Sequence, residues 1–86
     1  MTMKQQQLIT NDFYSTSDLA LATALSLWYP IEVIDRTNPN KADFLFKREA
    51  GLDELIETFW RRELKIDALT YFNQLKVVKS RLYEAK

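Results

Sequence analysis

Residues 31–47, IEVIDRTNPNKADFLFK, decide the fold. Ile31-Glu32-Val33-Ile34-Asp35-Arg36 is rich in β-branched residues. Ala42-Asp43-Phe44-Leu45-Phe46-Lys47 alternates, with Ala42, Phe44 and Phe46 on one side. A period of two marks a strand with one buried face. Thr37-Asn38-Pro39-Asn40-Lys41 between them has the composition of a five-residue hairpin connection, and Asn40 is the residue best suited to a left-handed backbone there. Two strands alone are marginal in water. A third is therefore expected, from the region of Phe13-Tyr14 or from a partner's edge.

Upstream, Ser15-Thr16-Ser17-Asp18 is a helix start. Ser15 followed three residues later by Asp18 has the form of a capping box, and Asp18 suits the positive end of a helix. Leu21, Ala24, Leu25 and Trp28 then share one helical face, with Leu19, Ala20, Ala22 and Leu27 spreading apolar surface further round. This first helix is expected to be central and mostly buried, and to stop at Pro30. Met1 to Gln7 are polar and without periodicity and read as a frayed tail, leaving residues 8–86 as one domain. Leu8-Ile9 and Phe13-Tyr14 flank Thr10-Asn11-Asp12, a stretch that reads as a short edge strand or an ordered arm.

Downstream, Gly51 precedes a second helix. There Leu52, Leu55, Ile56, Phe59 and Trp60 fill every place of the i, i+3, i+4, i+7, i+8 template. Asp53, Glu54 and Glu57 come early and Arg61 and Arg62 late, an order that suits the helix dipole; Glu57 and Arg61 form a favourable i,i+4 pair. Asp67 is the expected N-cap of a last helix. Ile66 before it is placed to pack on Tyr71, and Phe72, Leu75, Val78 and Leu82 form the apolar stripe. The order α-β-β-α-α, with a short leading strand from the N-terminal arm, predicts an α+β fold in which amphipathic helices pack on a small antiparallel sheet.

Composition limits the chemistry. The chain has 86 residues, 47% of them hydrophobic and 13% aromatic. That is enough for one modest core, burying about 60% of the unfolded surface. With no Cys there is no disulfide or thiolate site, which fits a reducing, cytoplasmic setting. With no His there is no imidazole metal site and no Ser-His-Asp arrangement. A single Gly excludes a phosphate-cradling glycine loop. The most apolar stretch, residues 19–28, is too short to span a bilayer. No cofactor is implied. Asp18, Glu32, Asp35 and Asp43 are the carboxylates that could form an acid/base pair or a magnesium site. The plain reading is that Asp18 caps a helix and the other three face solvent. A non-enzymatic protein is expected.

Formal net charge is zero, but residues 61–86 hold seven Lys/Arg against three Asp/Glu. Lys76, Lys79 and Tyr83, at i, i+3 and i+7, share one helix face with Ser80 beside them and Arg81 further round. Arg61, Arg62 and Lys65 at the preceding junction extend the cationic surface. Such a stripe can hold phosphates while Tyr83 stacks on a base. The plainer reading is that these lysines solvate the outer face of a terminal amphipathic helix and suit its C-terminal dipole. The aromatic habit places Trp28 and Trp60 in the core. The alternative for Trp60, next to Arg61-Arg62, is an interface anchor. A binding module that contacts nucleic acid, or a nucleic-acid-handling protein, through the last helix is the first functional reading. A protein-interaction subunit, either a homodimer or a phage-encoded inhibitor of a host enzyme, is the second.

These pieces, in this order, resemble a family of short bacterial and phage or mobile-element proteins classed as a domain of unknown function. The likeness covers about residues 14–83: Thr16-Ser17-Asp18-Leu19 with Ala22 and Leu25, Ile34-Asp35-Arg36, Phe44-Leu45-Phe46, Leu52 through Trp60, then Leu64, Asp67, Tyr71-Phe72, Leu75-Lys76 and Lys79-Ser80-Arg81-Leu82-Tyr83. The chain departs from the pattern at Leu27-Trp28, where a small residue is expected to end the helix. The resemblance implies a bacterial or phage setting near genes that handle DNA. It supplies no catalytic residues.

Overall fold

The structure is a computed structural model and describes residues 12–84. Its elements are β1 (Phe13–Thr16), α1 (Leu19–Leu25), β2 (Ile31–Asp35), β3 (Asp43–Lys47), α2 (Leu52–Trp60) and α3 (Ala68–Glu84). The sheet order is β1-β3-β2, and both pairings are antiparallel. The third strand comes from the N-terminal arm, over Phe13–Thr16. The Leu8-Ile9 arm and the Met1–Gln7 tail lie outside the described residues.

β3 is the middle strand, and its alternation fixes the faces. Phe44 and Phe46 are buried on one side; Tyr14 and Thr16 of β1 oppose Phe46 and Phe44 there. The β2 side is less regular. Ile31 pairs with Phe46 and Val33 with Leu45, so two steps along β2 cover one along β3. This bulge turns Ile31 and Ile34, three residues apart, towards the same core, while Val33 goes to the outer face and is 48% exposed. A strict alternation through β2 would have put Ile34 outside.

β1 and β2 run parallel on either side of β3, so α1 must cross the sheet between them. It does so as the central element: Leu21, Ala22, Thr23, Ala24 and Leu25 are all fully buried. Within this buried stretch the one buried hydroxyl bonds internally, from Thr23 to the Leu19 carbonyl at 2.8 Å. Three expectations are corrected here. The capping box does not form, because Ser15 is in β1; Asp18 itself is the N-cap, accepting from the Leu21 N–H at 3.0 Å. The helix also ends earlier than Pro30. Ser26 caps it, and residues 26–28 turn through short-range hydrogen bonds. That early end carries Trp28 off the buried face, leaving it 52% exposed rather than in the core.

Leu52 of α2 and Val78 of α3 complete the buried cluster, with Leu55, Ile56, Phe59 and Leu82 packed against it. In the hairpin the left-handed position is not Asn40; instead Asn38 accepts the Asn40 N–H on its side chain at 2.8 Å, and no hairpin residue has positive φ. Among the described residues two adopt that conformation, Gly51 at φ 90° and Arg62 at φ 63°.

Gly51 opens α2 where Tyr29 donates its hydroxyl to the Ala50 carbonyl at 2.8 Å. A Cβ at Gly51 would stand 2.8 Å from that hydroxyl. Gly51→Ala should therefore destabilise the domain by about 1–3 kcal/mol, from the left-handed backbone and the contact together. Tyr29→Phe should relieve part of the loss when combined with it. Chemical denaturation of the two single variants and the double variant measures this; strict additivity would remove the steric part of the explanation.

Candidate interaction surface

α2 leaves the core as it proceeds. Leu52 is buried, Leu55, Ile56 and Phe59 are half-buried, and Trp60 is 56% exposed. The expectation that Trp60 belongs to the core is thus corrected. Its indole stands edge-on to the Phe59 ring, centroids 5.0 Å apart. The chain then reverses. Arg62 donates its N–H to the Phe59 carbonyl at 3.0 Å, and Glu63 donates to the Thr58 carbonyl at 3.1 Å. This is the pair of bonds of a Schellman end, and Arg62 occupies the left-handed place that glycine usually takes.

Where α2 and the start of α3 diverge, they leave an apolar recess of about 590 Å³. Its wall is formed by Ala24, Phe59, Trp60, Leu64, Ile66, Ala68, Tyr71 and Phe72, with Arg62 as its one charged side chain. Ile66 and Tyr71, predicted to staple the helix start, both line it. The Tyr71 hydroxyl turns away, donating to the Ala20 carbonyl at 3.4 Å. Burial raises this phenol above its ordinary pKa, and the Asp18 charge adds to the rise.

α3 divides lengthwise. Val78 is buried and Tyr71, Leu75 and Leu82 are half-buried on the inner side, as the apolar stripe predicts. Phe72 is the exception, 59% exposed at the rim of the recess. Gln74 ties the inner side to α1 by donating to Ser26 Oγ at 2.9 Å. On the outer side Lys76, Lys79, Ser80 and Tyr83 line one shallow surface with Glu84 at its flank. The predicted Lys76–Lys79–Tyr83 grouping is therefore a contiguous exposed face, and Tyr83 is 61% exposed.

The remaining sequence candidates are placed elsewhere. Arg61 is held between Glu57 at 3.4 Å and Glu63 at 3.3 Å. Arg81 turns to the sheet and reaches the Ile31 carbonyl at 3.4 Å, while Arg36 donates to the Arg81 and Leu82 carbonyls at 3.0 and 2.7 Å. Among the described residues, Arg62, Lys65, Lys76 and Lys79 take part in no ion pair. Sequence reasoning passed over Leu64, Ile66, Leu69 and Phe72 as site residues. The available signal was an apolar surplus at residues 64–72, more than one helix stripe can bury.

The four carboxylates are not gathered. Asp18 caps α1. Asp35 accepts from the Thr37 hydroxyl at 2.6 Å and the Thr37 N–H at 2.9 Å, which hold its pKa below the usual carboxylate value. Asp43 pairs with Asp35 across the strands, and Glu32 lines a separate recess beside β2. Among the described residues no three Asp or Glu side chains are grouped to hold a metal ion. No helix there is long and apolar enough to cross a membrane.

The fold and its exposed recess define a small α+β domain with two exposed aromatics, Trp60 and Phe72, at the mouth of one apolar recess. The chain belongs to the family described as Domain of unknown function (DUF5659), which matches residues 11–84. No curated protein and no solved structure matches the chain.

Two outcomes follow from the ends of the junction. Asp67 caps α3 through the Thr70 N–H at 3.0 Å, and that bond, with the Thr70 hydroxyl, lowers its pKa. A lowered folded-state pKa contributes stability above the unfolded value and loses it as pH falls through the folded one. Asp67→Ala should therefore lower Tm at pH 7, and the gap to wild type should narrow as pH falls through the carboxylate range; thermal melts at pH 7 and pH 3 or so measure it. Arg62→Gly should leave the domain at least as stable, because a left-handed non-glycine residue costs about 1 kcal/mol. A clear fall in its Tm would mean that the side chain's packing outweighs its backbone strain.

Proposed function

We propose that the protein is a binding module, without chemistry of its own, that engages a protein partner through the recess and the outer face of α3. The observation that carries this reading is the pair Trp60 and Phe72, 56% and 59% exposed at the rim of one apolar recess. Large aromatics left in water beside an arginine have the composition of interface anchors. Contiguous exposed apolar surface on a small domain marks a contact site. A formal net charge of zero provides little long-range steering towards a polyanion. The lack of Cys fits a reducing cytoplasm, in the bacterial or phage setting that the family resemblance implies. A homo-oligomer and an inhibitor of a host enzyme are both forms such a module can take.

A second reading, contact with nucleic acid, is favoured by one observation. Lys76 and Lys79 lie together beside the exposed Tyr83, with no ion pair among the described residues. Phosphate contacts and base stacking could use this arrangement.

The test is a photo-crosslinking amino acid placed at Trp60 or Phe72, with Lys47 on β3 as the control position, in cells that express the full chain. Protein adducts at the first two positions and not at the third are expected. Equal labelling at all three would remove the reading. Oligonucleotide binding at about 50 mM salt, weakening steeply as salt rises, would replace it with the second.

A further inference from the structure

Resting on the protein-partner reading above, we propose that the occupant of this surface is an acidic amphipathic helix of a different protein, laid along the outer side of α3. Leu69, Phe72, Lys76, Lys79 and Tyr83 follow one another at spacings of three, four, three and four. On an α-helix that spacing makes one continuous seam, the pattern by which two helices pack side by side. All five side chains are exposed, Leu69 at 67%. From Leu69 to Tyr83 the seam is about 21 Å long at 1.5 Å per residue, room for roughly four turns of a partner helix.

The chemistry along the seam is ordered. Its ends are apolar or aromatic and its centre is two lysines. The Leu69–Phe72 end opens onto the recess, where Arg62 is the only charged side chain in the lining. A matching helix therefore carries acids opposite Lys76 and Lys79 and apolar side chains at both ends. One of these enters the recess, and a further acid sits within reach of Arg62. The left-handed backbone at Arg62 bears on the same point. A glycine there would satisfy the helix end with less strain, whereas Arg62 brings a cation to the recess lining at a backbone cost.

The same chemistry ranks the other occupants lower. A second copy apposed antiparallel with Phe72 facing its Tyr83 would set Lys76 and Lys79 against its own Lys79 and Lys76, a like-charge contact. A nucleic-acid base in the recess would face Leu64, Ile66 and Ala24, with the Tyr71 hydroxyl already donated to Ala20 and Arg62 as the one charged side chain left to meet its polar edge.

The experiment uses the full chain carrying Trp28→Phe, so that emission reports Trp60 alone. The probe is a synthetic helical peptide of about 20 residues with Leu at the end seam positions and Glu at the central ones. Its control has Lys in place of each Glu. The acidic peptide should shift Trp60 emission to the blue and bind at least about tenfold more tightly than the control. Lys76→Glu combined with Lys79→Glu should reverse that preference, and Arg62→Gly should weaken binding of the acidic peptide without lowering Tm. Equal binding of the two peptides, or binding of neither, overturns the inference while leaving crosslinks at Trp60 and Phe72 to stand for the broader reading. A concentration-dependent dimer that masks Trp60 overturns it in favour of a second copy. Oligonucleotides that compete out the acidic peptide at the seam overturn it in favour of nucleic acid.

Discussion

Phe44 and Phe46 project from the middle strand into the space beneath α1, and the placement of every other element follows from filling that space. β1 and β2 can reach the two flanks of β3 only if the chain crosses between them, and the crossing element is α1, buried from Leu21 to Leu25. Once α1 is enclosed, α2 and α3 have only its remaining sides to cover. Leu52 and Val78 are the buried contacts they contribute. With so few places for large side chains, the aromatic surplus at residues 59–72 cannot all go inside. The apolar recess is the remainder of that packing problem, at the mouth between two diverging helices.

Much of this was legible in the residues. The alternation of Ala42–Lys47, the template from Leu52 to Trp60 and the Asp67 cap name their elements because each is a local rule acting on adjacent side chains. The rest was not, for reasons that can be named. The bulge in β2 is set by the pairing with β3, and nothing in Ile31–Arg36 itself announces an extra residue. Trp28 and Trp60 satisfy helical periodicity yet lie outside the core. In one case the helix stops at Leu25; in the other α2 tilts away before the position is reached. Helical phase alone reports neither helix length nor tilt. Arg62 hides in the same way, since the usual sign of a left-handed helix end is a glycine. Of the site, the lysine face was readable from spacing alone. The recess was not, because it is made by two elements and the turn between them.

The arginines show how much position outweighs residue type. Arg61 and Arg62 are neighbours, yet one is held by two glutamates and the other stands at the edge of the recess. Arg81 lies within two residues of Lys79 on α3, yet its side chain reaches across to the sheet. A basic composition therefore overstates the cationic surface, and the side chains without an ion pair among the described residues are the ones that shape it.

Arg36 and Arg81 also bear on the far end of α3. Arg36 reaches from the strand to the last carbonyls of the helix, and Arg81 reaches back from the helix to the first residue of β2. Gln74 and Ser26 secure the same helix nearer its start. A 17-residue helix tethered at both places has little freedom left to surrender when something lies against it. Residence on such a surface is governed by how well the newcomer fits, since the receiving side arrives already ordered.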